Sequence, residues 1–372
     1  MARLYLDYNA STPIDPDVAA VMRDLLESAY GNPSSGHWAA APAMATLDTA
    51  RERVAALLGC APDEIVFTSG GSEANNLALK GLCGGPRAGP THIVTSAIEH
   101  PAILEPCRYL ATLGAMVTRV PVDGSGLVDP DDVRRAITPD TRLISIMHAN
   151  NETGTIQQVA DIAAIAHDHG IRFHTDAAQS VGKIVTRVDE LGADMLSVAG
   201  HKVYAPKGIG ALYVRHGVEI EPLIHGAGHE AGRRAGTESA LLAAGLGKAC
   251  EIAQNWIGMP GLAVLRDLFW RRLQAEFGNQ VVLNGHPTRR LPNTLNVSFV
   301  GRVGADILAA MPEVAASTGS ACHAGQVALS PVLKAMSVAP EVGMGAIRFS
   351  LGRRTTEGEV DEVVRQLRRV LA

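Results

Sequence analysis

A lysine at position 202 stands in Gly200-His201-Lys202, just after the short apolar stretch from Asp194 to Ala199 and before Pro206-Lys207-Gly208-Ile209-Gly210. A lysine at a strand-to-loop boundary, hemmed in by glycines, is placed for its amine to reach into a cavity and not out to water. Its ordinary pKa of about 10.4 makes it a poor nucleophile at neutral pH. A site that holds it as an imine and shields it from water corrects this. Asp176 ends a buried strand in His174-Thr175-Asp176-Ala177-Ala178-Gln179, where an acid can pair with a ring nitrogen. His100, in Ile98-Glu99-His100-Pro101, sits between a strand and a helix and can stack on a ring or move protons. Cys322 lies among small residues in Ser317-Thr318-Gly319-Ser320-Ala321-Cys322-His323-Ala324-Gly325-Gln326, a setting unlike that of a packing cysteine. Arg348, in Ile347-Arg348-Phe349-Ser350, is a charge inside a strand pattern and needs an anion such as a carboxylate.

The run Thr68-Ser69-Gly70-Gly71-Ser72-Glu73-Ala74-Asn75-Asn76 follows a strand and opens a helix. Glycines let the backbone approach an anion, and free N–H groups at a helix start bind it. No Gly-Lys-Ser/Thr follows, so this is not a nucleotide P-loop of the usual kind. Together the residues read as a site for pyridoxal phosphate with a thiol beside it, and so for bond breaking at an amino acid. Each has a plainer reading alone. Ser72 and Asp176 could cap helices, His100 could be structural, Lys202 could lie along the surface and Arg348 could close an internal salt bridge. A metal on His174 and Asp176 lacks further ligands at a suitable spacing. His225, His229 and Glu230 read as loop residues.

These groups must be carried by a scaffold, and the hydrophobic pattern supplies one. Helical stretches at 16–30, 45–58, 103–113, 159–169 and 239–257 alternate with β-rich runs at 65–67, 92–95, 143–146, 172–175 and 209–214. Short apolar strands separated by helices predict an α/β fold with a mostly parallel sheet covered on both faces. Ligands bind such sheets at the carboxyl ends of the strands, where Ser72, His100, Asn151 and Asp176 fall. From about residue 253 the pattern changes to a smaller α+β unit. The expected division is a large domain over 16–252 and a small domain made of 1–15 and 253–372, carrying the Cys322 loop and Arg348. The stretch from Gly81 to Pro90 is expected as a surface loop.

Composition sets outer limits. The chain has 372 residues, 47% of them hydrophobic and 19% charged, which suits two domains with a sizeable core. A net charge of −5 gives no basic footprint for nucleic acid. There is no run of 18 apolar residues for a membrane span and no export leader before Leu4-Tyr5-Leu6-Asp7. Five scattered cysteines (60, 83, 107, 250 and 322) form no paired framework and fit free thiols in a reducing cytoplasm.

The ordered set resembles the NifS/IscS-like cysteine desulfurases, class V pyridoxal-phosphate enzymes of fold type I. The resemblance runs nearly end to end. It rests on Tyr5-Leu6-Asp7-Tyr8-Asn9-Ala10, Gly31-Asn32-Pro33-Ser34-Ser35, Phe67 to Asn76, Asn150-Asn151-Glu152-Thr153-Gly154, the Asp176/Gln179 segment, Gly200-His201-Lys202, Arg234-Ala235-Gly236-Thr237-Glu238, the Cys322 loop and Arg348 to Arg353. It implies Lys202 as the Schiff-base lysine. It implies Gly71, Ser72 and His201 as phosphate ligands, joined by Thr237 from the partner subunit of a homodimer. It further implies Asp176 on the ring nitrogen, Gln179 on the ring hydroxyl, His100 stacked on the ring and Asn151 positioning cofactor and substrate. Arg348, with Asn32, would hold the carboxylate of L-cysteine. Cys322 would take the sulfur as a persulfide, leaving alanine, and pass it to an acceptor protein for iron–sulfur clusters or other products. No metal is implied.

Two positions depart from the pattern. Many relatives have a hydroxyl residue where this chain has Ala199, which removes one expected phosphate contact. The chain ends at Ala372, without the further segment by which some members dock an iron–sulfur scaffold. Selenocysteine lyase is the nearest alternative, because Ala321-Cys322-His323, Ser330-Pro331-Val332-Leu333 and Ala199 look similar to that group. The loop from Cys322 to Ser330 has the desulfurase length. A non-catalytic sulfur-relay or assembly partner would not need Lys202, Asp176, His100 and Cys322 together.

Overall fold

The apolar runs pair into a seven-stranded sheet whose residues alternate between two cores. The computed structural model describes residues 3–84, 90–319, 322–323 and 326–372, with the backbone alone at 322, 323, 326 and 327. Its strands in chain order are β1 (Leu4–Tyr5), β2 (Ile65–Thr68), β3 (His92–Ser96), β4 (Met116–Val120), β5 (Thr141–Ser145), β6 (Arg172–Asp176), β7 (Met195–Ala199) and β8 (Gly210–Val214). There follow β9 (Val281–Asn284), β10 (Thr294–Phe299), β11 (Val314–Ala315), β12 (Cys322–His323), β13 (Gln326–Val327) and β14 (Ala346–Ser350). The large sheet has the order β2-β8-β7-β6-β5-β3-β4. Only β8 runs antiparallel to its neighbours in it.

Successive strand side chains point to opposite faces, and both faces are apolar. Ile65, Phe67, Val94, Ile144, Ala211 and Tyr213 join one cluster. Their chain neighbours Val66, Ile93, Leu143, Leu212 and Val214 join the other. Helices α1 (Pro16–Leu25) and α2 (Ala41–Leu58) cover the first face, with the helix Ala240–Gln254. Helices α3 (Gly71–Cys83) and α4 (Pro101–Thr112) cover the second. Two-sided burial is why these strands read as continuous apolar runs.

A second sheet, β14-β10-β9, is antiparallel. It packs with the helices Gly261–Phe277 and Glu357–Leu371 around Phe269, Leu273, Phe349, Val363 and Leu367. Leu4 and Leu6 of the N-terminal segment enter this same cluster, and β1 pairs with β11.

Two features differ from the sequence reading. Strand β4 has no counterpart in it, because this edge strand is only part-buried and carries Thr118 and Arg119 in place of an apolar run. The stretch from Gly81 is helical through Cys83, and both residues are buried. Gly81 serves close packing there, since a Cβ on it would stand 2.7 Å from the Glu221 carbonyl oxygen. Residues 85–89 lie outside the described residues.

Strand β2 is an edge that leads directly into the glycine loop, and its free edge is covered by charge. Arg51 donates to the Ile65 carbonyl and grips Glu230 through both prongs, at 2.8 and 2.7 Å. Glu230 in turn accepts from the Phe67 N–H at 2.9 Å. This satisfies edge groups that would otherwise be open to pairing. It also holds Glu230 and Ala231 at φ of 50° and 56°, in the left-handed region. Glu230, read from sequence as a loop residue, is therefore a buried anchor. Glu230→Ala leaves Arg51 unpaired and is expected to cost about 3–5 kcal/mol in urea unfolding. A loss below about 1 kcal/mol, the size of an exposed pair, would show that the anchor carries little.

Candidate active site

The carboxyl ends of the strands open onto a cavity of about 700 Å³. Gly71, Ser72, His100, Asn151, Asp176, Gln179, His201, Lys202 and Arg348 all line it. So do Asn9, Ala10, Ser11, Asn75 and Ala199.

Gly70 precedes α3 with φ of 154°, a conformation that suits glycine, and a Cβ there would meet no atom within 4 Å. Helix α3 has no side-chain cap, so its first-turn N–H groups are left for a ligand of the cavity. Glu73 folds back to accept from the Ser69 N–H at 2.8 Å and is held by Arg234, also at 2.8 Å, which braces the loop. The His201 ring faces the same space, 3.4 Å from the Ser11 hydroxyl. Burial, with Lys202, Lys207 and His100 nearby, pushes its pKa down to about 4. Ala199 is buried in the wall, and a Cβ on Gly71 would stand 3.0 Å from its methyl.

Asp176 is 6% exposed at the end of β6. Its two oxygens accept from Asn75 Nδ2 at 2.7 Å and from the Ala178 N–H at 2.9 Å, which fixes the carboxylate plane. His174, two residues earlier, spends both ring nitrogens on Ser145 and Ser197 hydroxyls, at 2.8 and 3.0 Å. Burial drives its pKa to about 3. It ties β5, β6 and β7 together and has no nitrogen left for a metal. His100 caps α4 by accepting from the Ala102 N–H at Nδ1, 3.0 Å away. In the neutral ring the hydrogen therefore sits on Nε2. Burial lowers the pKa of His100, opposed by Asp176 and aided by Lys202.

The Lys202 ammonium donates to the main-chain carbonyls of Asn9 and Ala10, at 2.5 and 2.8 Å. Burial and the charge of Arg348 bring its pKa down to about 8, against the opposing pull of Asp176 and Asp7. Arg348 is 8% exposed and donates to Asp7 Oδ1 at 2.7 Å and to the Asn151 carbonyl at 3.0 Å. Its Nε has no partner among the described residues.

Asn32 lies elsewhere. It is exposed in the loop after α1, accepts from the Ser34 N–H at 2.9 Å and does not line the cavity. Thr237 is exposed in an adjoining hollow with Arg234 and Ser239, which shares Ser69 and Gly208 with the main cavity. The Cys322 side chain lies outside the described residues. The backbone at 322–323 pairs with 326–327 as a small hairpin. Ser317, before it, bonds the main chain of Arg348 at 2.7 and 3.2 Å and the Asp7 carboxylate at 2.9 Å. Ser330, after it, donates to Glu152 at 2.5 Å. The described cysteines are poor alternatives as nucleophiles, because burial pushes Cys60, Cys83, Cys107 and Cys250 up to about 12.

Asn9 is the residue that single-motif reading passed over. It is 1% exposed, and its signal was a polar residue repeated among hydrogen-bonding types in Asp7-Tyr8-Asn9. The donor set fits pyridoxal phosphate: uncapped N–H groups beside a histidine for phosphate, an oriented buried carboxylate for the ring nitrogen, and a depressed lysine between them.

The Aminotransferase class-V family profile matches residues 4–363. A curated relative, the cysteine desulfurase IscS of Dictyoglomus turgidum, is 45% identical over 372 residues, covering 99% of this chain and 94% of its own. A solved structure titled NIFS-like protein is 37% identical with a TM-score of 0.91, covering 99% of both chains. Another, titled SspA in complex with cysteine, is 40% identical with a TM-score of 0.83, covering 94% of this chain and 98% of its own. By these likenesses the chain belongs to the class-V aminotransferase family of pyridoxal-phosphate-dependent enzymes, among its cysteine desulfurases.

Proposed function

We propose that this enzyme converts L-cysteine to L-alanine and leaves the sulfur on Cys322 as a persulfide. The observation that carries the reading is one cavity joining a lysine of pKa about 8, an oriented buried carboxylate and a buried arginine whose strand is bonded to the stem of the Cys322 hairpin. When bound, pyridoxal phosphate supplies an electron sink for bond changes at the amino acid.

The loop at Gly71 and Ser72, with His201, holds the phosphate. Asp176 would accept from the ring nitrogen, Gln179 would donate to the ring hydroxyl, and His100 would pack on the ring. Lys202 would hold the cofactor through its Nζ, and the same amine is the group that would move a proton at the substrate carbon. Arg348 takes the substrate carboxylate, with Asn151 beside it. Its Nη2 already holds Asp7, so Asp7 has to share or yield that prong. The Cys322 thiolate attacks the substrate sulfur. The S–S bond forms as the Cβ–S bond breaks, the electron pair stays with the carbon skeleton, and protons on that skeleton complete alanine. The persulfide then passes to an acceptor protein serving iron–sulfur cluster assembly or other sulfur-containing products.

The same reading extends to a homodimer in the cytoplasm. Thr237, exposed beside the glycine loop, is suitably placed to serve a partner subunit, and the described cysteines are free thiols. We propose a large domain at 16–252 and a small one from 1–15 and 253–372, supported by the separate apolar clusters. Among the described residues no helix is long and apolar enough to cross a membrane.

Two outcomes are expected. With L-cysteine and a reductant, wild type yields alanine and sulfide in equal amounts, and Cys322→Ala loses about 100-fold or more of cysteine turnover. Retained turnover in the variant, or a wild type that prefers selenocysteine by orders of magnitude, would favour the lyase reading instead. The second outcome follows from the depressed lysine, whose neutral form grows as pH rises through about 8. Uptake of pyridoxal phosphate by apo-protein should accelerate about tenfold per pH unit below that point and level off above it. A rate still climbing at pH 10 would mean an ordinary lysine.

A further inference from the structure

Lys183 is a half-buried lysine that the chemistry above does not use. It does not line the cofactor cavity. It lines a second hollow, with Tyr8, Tyr204, Trp256 and Arg353. Its Nζ donates to Gln179 Oε1 at 3.0 Å and to Asn9 Oδ1 at 3.3 Å. Gln179 is 6% exposed, and its Nε2 donates to the Asn9 main-chain carbonyl at 3.0 Å.

The amide orientations in this network are not interchangeable. A main-chain carbonyl only accepts, so Asn9 must point Nδ2 toward the Asn151 carbonyl, 3.2 Å away, and Oδ1 toward Lys183 and Asn293 Nδ2. By the same logic Gln179 gives one N–H to the Asn9 carbonyl, and its oxygen faces Lys183. With that oxygen turned toward Lys183, Gln179 has its second N–H free to donate into the cavity. Burial, with Lys202 and Arg348 nearby, drives the pKa of Lys183 well below that of an ordinary lysine. The arrangement survives loss of the proton, because a neutral amine keeps two N–H groups for the two oxygens.

We propose that Lys183 is a positioning residue that holds Gln179 as a donor, and not an acceptor, toward the ring hydroxyl of the cofactor. This rests on the reading that Gln179 meets that hydroxyl. Without Lys183 the Gln179 oxygen is buried and unpaired, and rotating the amide to relieve it would turn an acceptor toward a ring oxygen that needs a donor. The role is indirect, carried through Gln179, which sets the form of the test.

Lys183→Met, Lys183→Arg, Gln179→Leu and the Lys183→Met/Gln179→Leu double variant are compared for two properties. One is the pyridoxal phosphate dissociation constant of apo-protein. The other is the pH midpoint of the visible absorption band of the holoenzyme. Lys183→Met is expected to weaken cofactor binding about tenfold and to raise the midpoint, as loss of the bond that orients the Gln179 amide would. Lys183→Arg, which still only donates, is expected to keep both near wild type. In the Gln179→Leu background, Lys183→Met should add less than about twofold, the mark of two residues acting as one unit. Full additivity, or a Lys183→Met protein with unchanged affinity and midpoint, overturns the proposal. A silent Gln179→Leu removes the underlying reading and the proposal with it. If Lys183→Met does not fold by circular dichroism, Lys183→Gln replaces it. That side chain permits either amide orientation, and the same two properties decide.

Discussion

The N-terminal segment from Asp7 to Thr12 is the constraint on which the site depends. It crosses between the two sheets, and Asn151, Gln179, His201, Lys202 and Arg348 are all bonded to it. Asp7 holds Arg348 and Ser317. The Asn9 carbonyl receives Lys202 and Gln179, while its amide is shared among Lys183, Asn151, Asn293 and Thr294. Thr12 binds the carbonyl of His201 and the N–H of Tyr204, which itself sits at φ of 68°. Groups from opposite ends of the chain are thus registered by hydrogen bonds to six consecutive residues. In a buried setting each unmet partner would cost about 1–3 kcal/mol, which makes the registration strict.

Charge follows from the same crowding. Lys202 and Arg348 stand close to Asp176 and Asp7, and their charges also reach Lys183 behind them. Cations that are buried near one another disfavour each other's charge. Burial, with the charge of Arg348 beside them, lowers both lysines, and Lys202 at about 8 comes within reach of neutral pH as a nucleophile. The imidazoles of His201 and His174 move the same way, to about 4 and 3, and are held neutral as hydrogen-bonding groups. Burial in the core has the opposite sense for thiols, which leaves Cys60, Cys83, Cys107 and Cys250 unreactive. One principle thus activates the amine and silences the spare cysteines.

Much of this was legible in the chain because it is local. The glycine loop before α3, the lysine after β7 and Asp176 at the end of β6 each follow from a strand, its terminus and a few neighbours. The two-sided burial of the strands marked the sheet. What depended on partners distant in sequence was not legible. Glu230 finds Arg51 and Phe67 across more than 160 positions, and no local pattern separates it from a loop acid. Asn9 and Lys183 draw their roles from each other and from Gln179, 170 or more residues from Asn9. Strand β4 escaped because an edge strand need not be apolar. Asn32 carried an expectation from its motif, yet its side chain closes a turn in its own loop.

Whether sulfur leaves L-cysteine onto Cys322 is decided by a single turnover without reductant. One equivalent of L-cysteine is added to the holoenzyme, alanine is quantified, and the cysteine-containing peptides are mapped by mass spectrometry. The account requires one alanine for each sulfur gained, with that sulfur confined to the Cys322 peptide. Alanine formed with sulfur on another cysteine, or with sulfide released and no protein-bound sulfur, would contradict it.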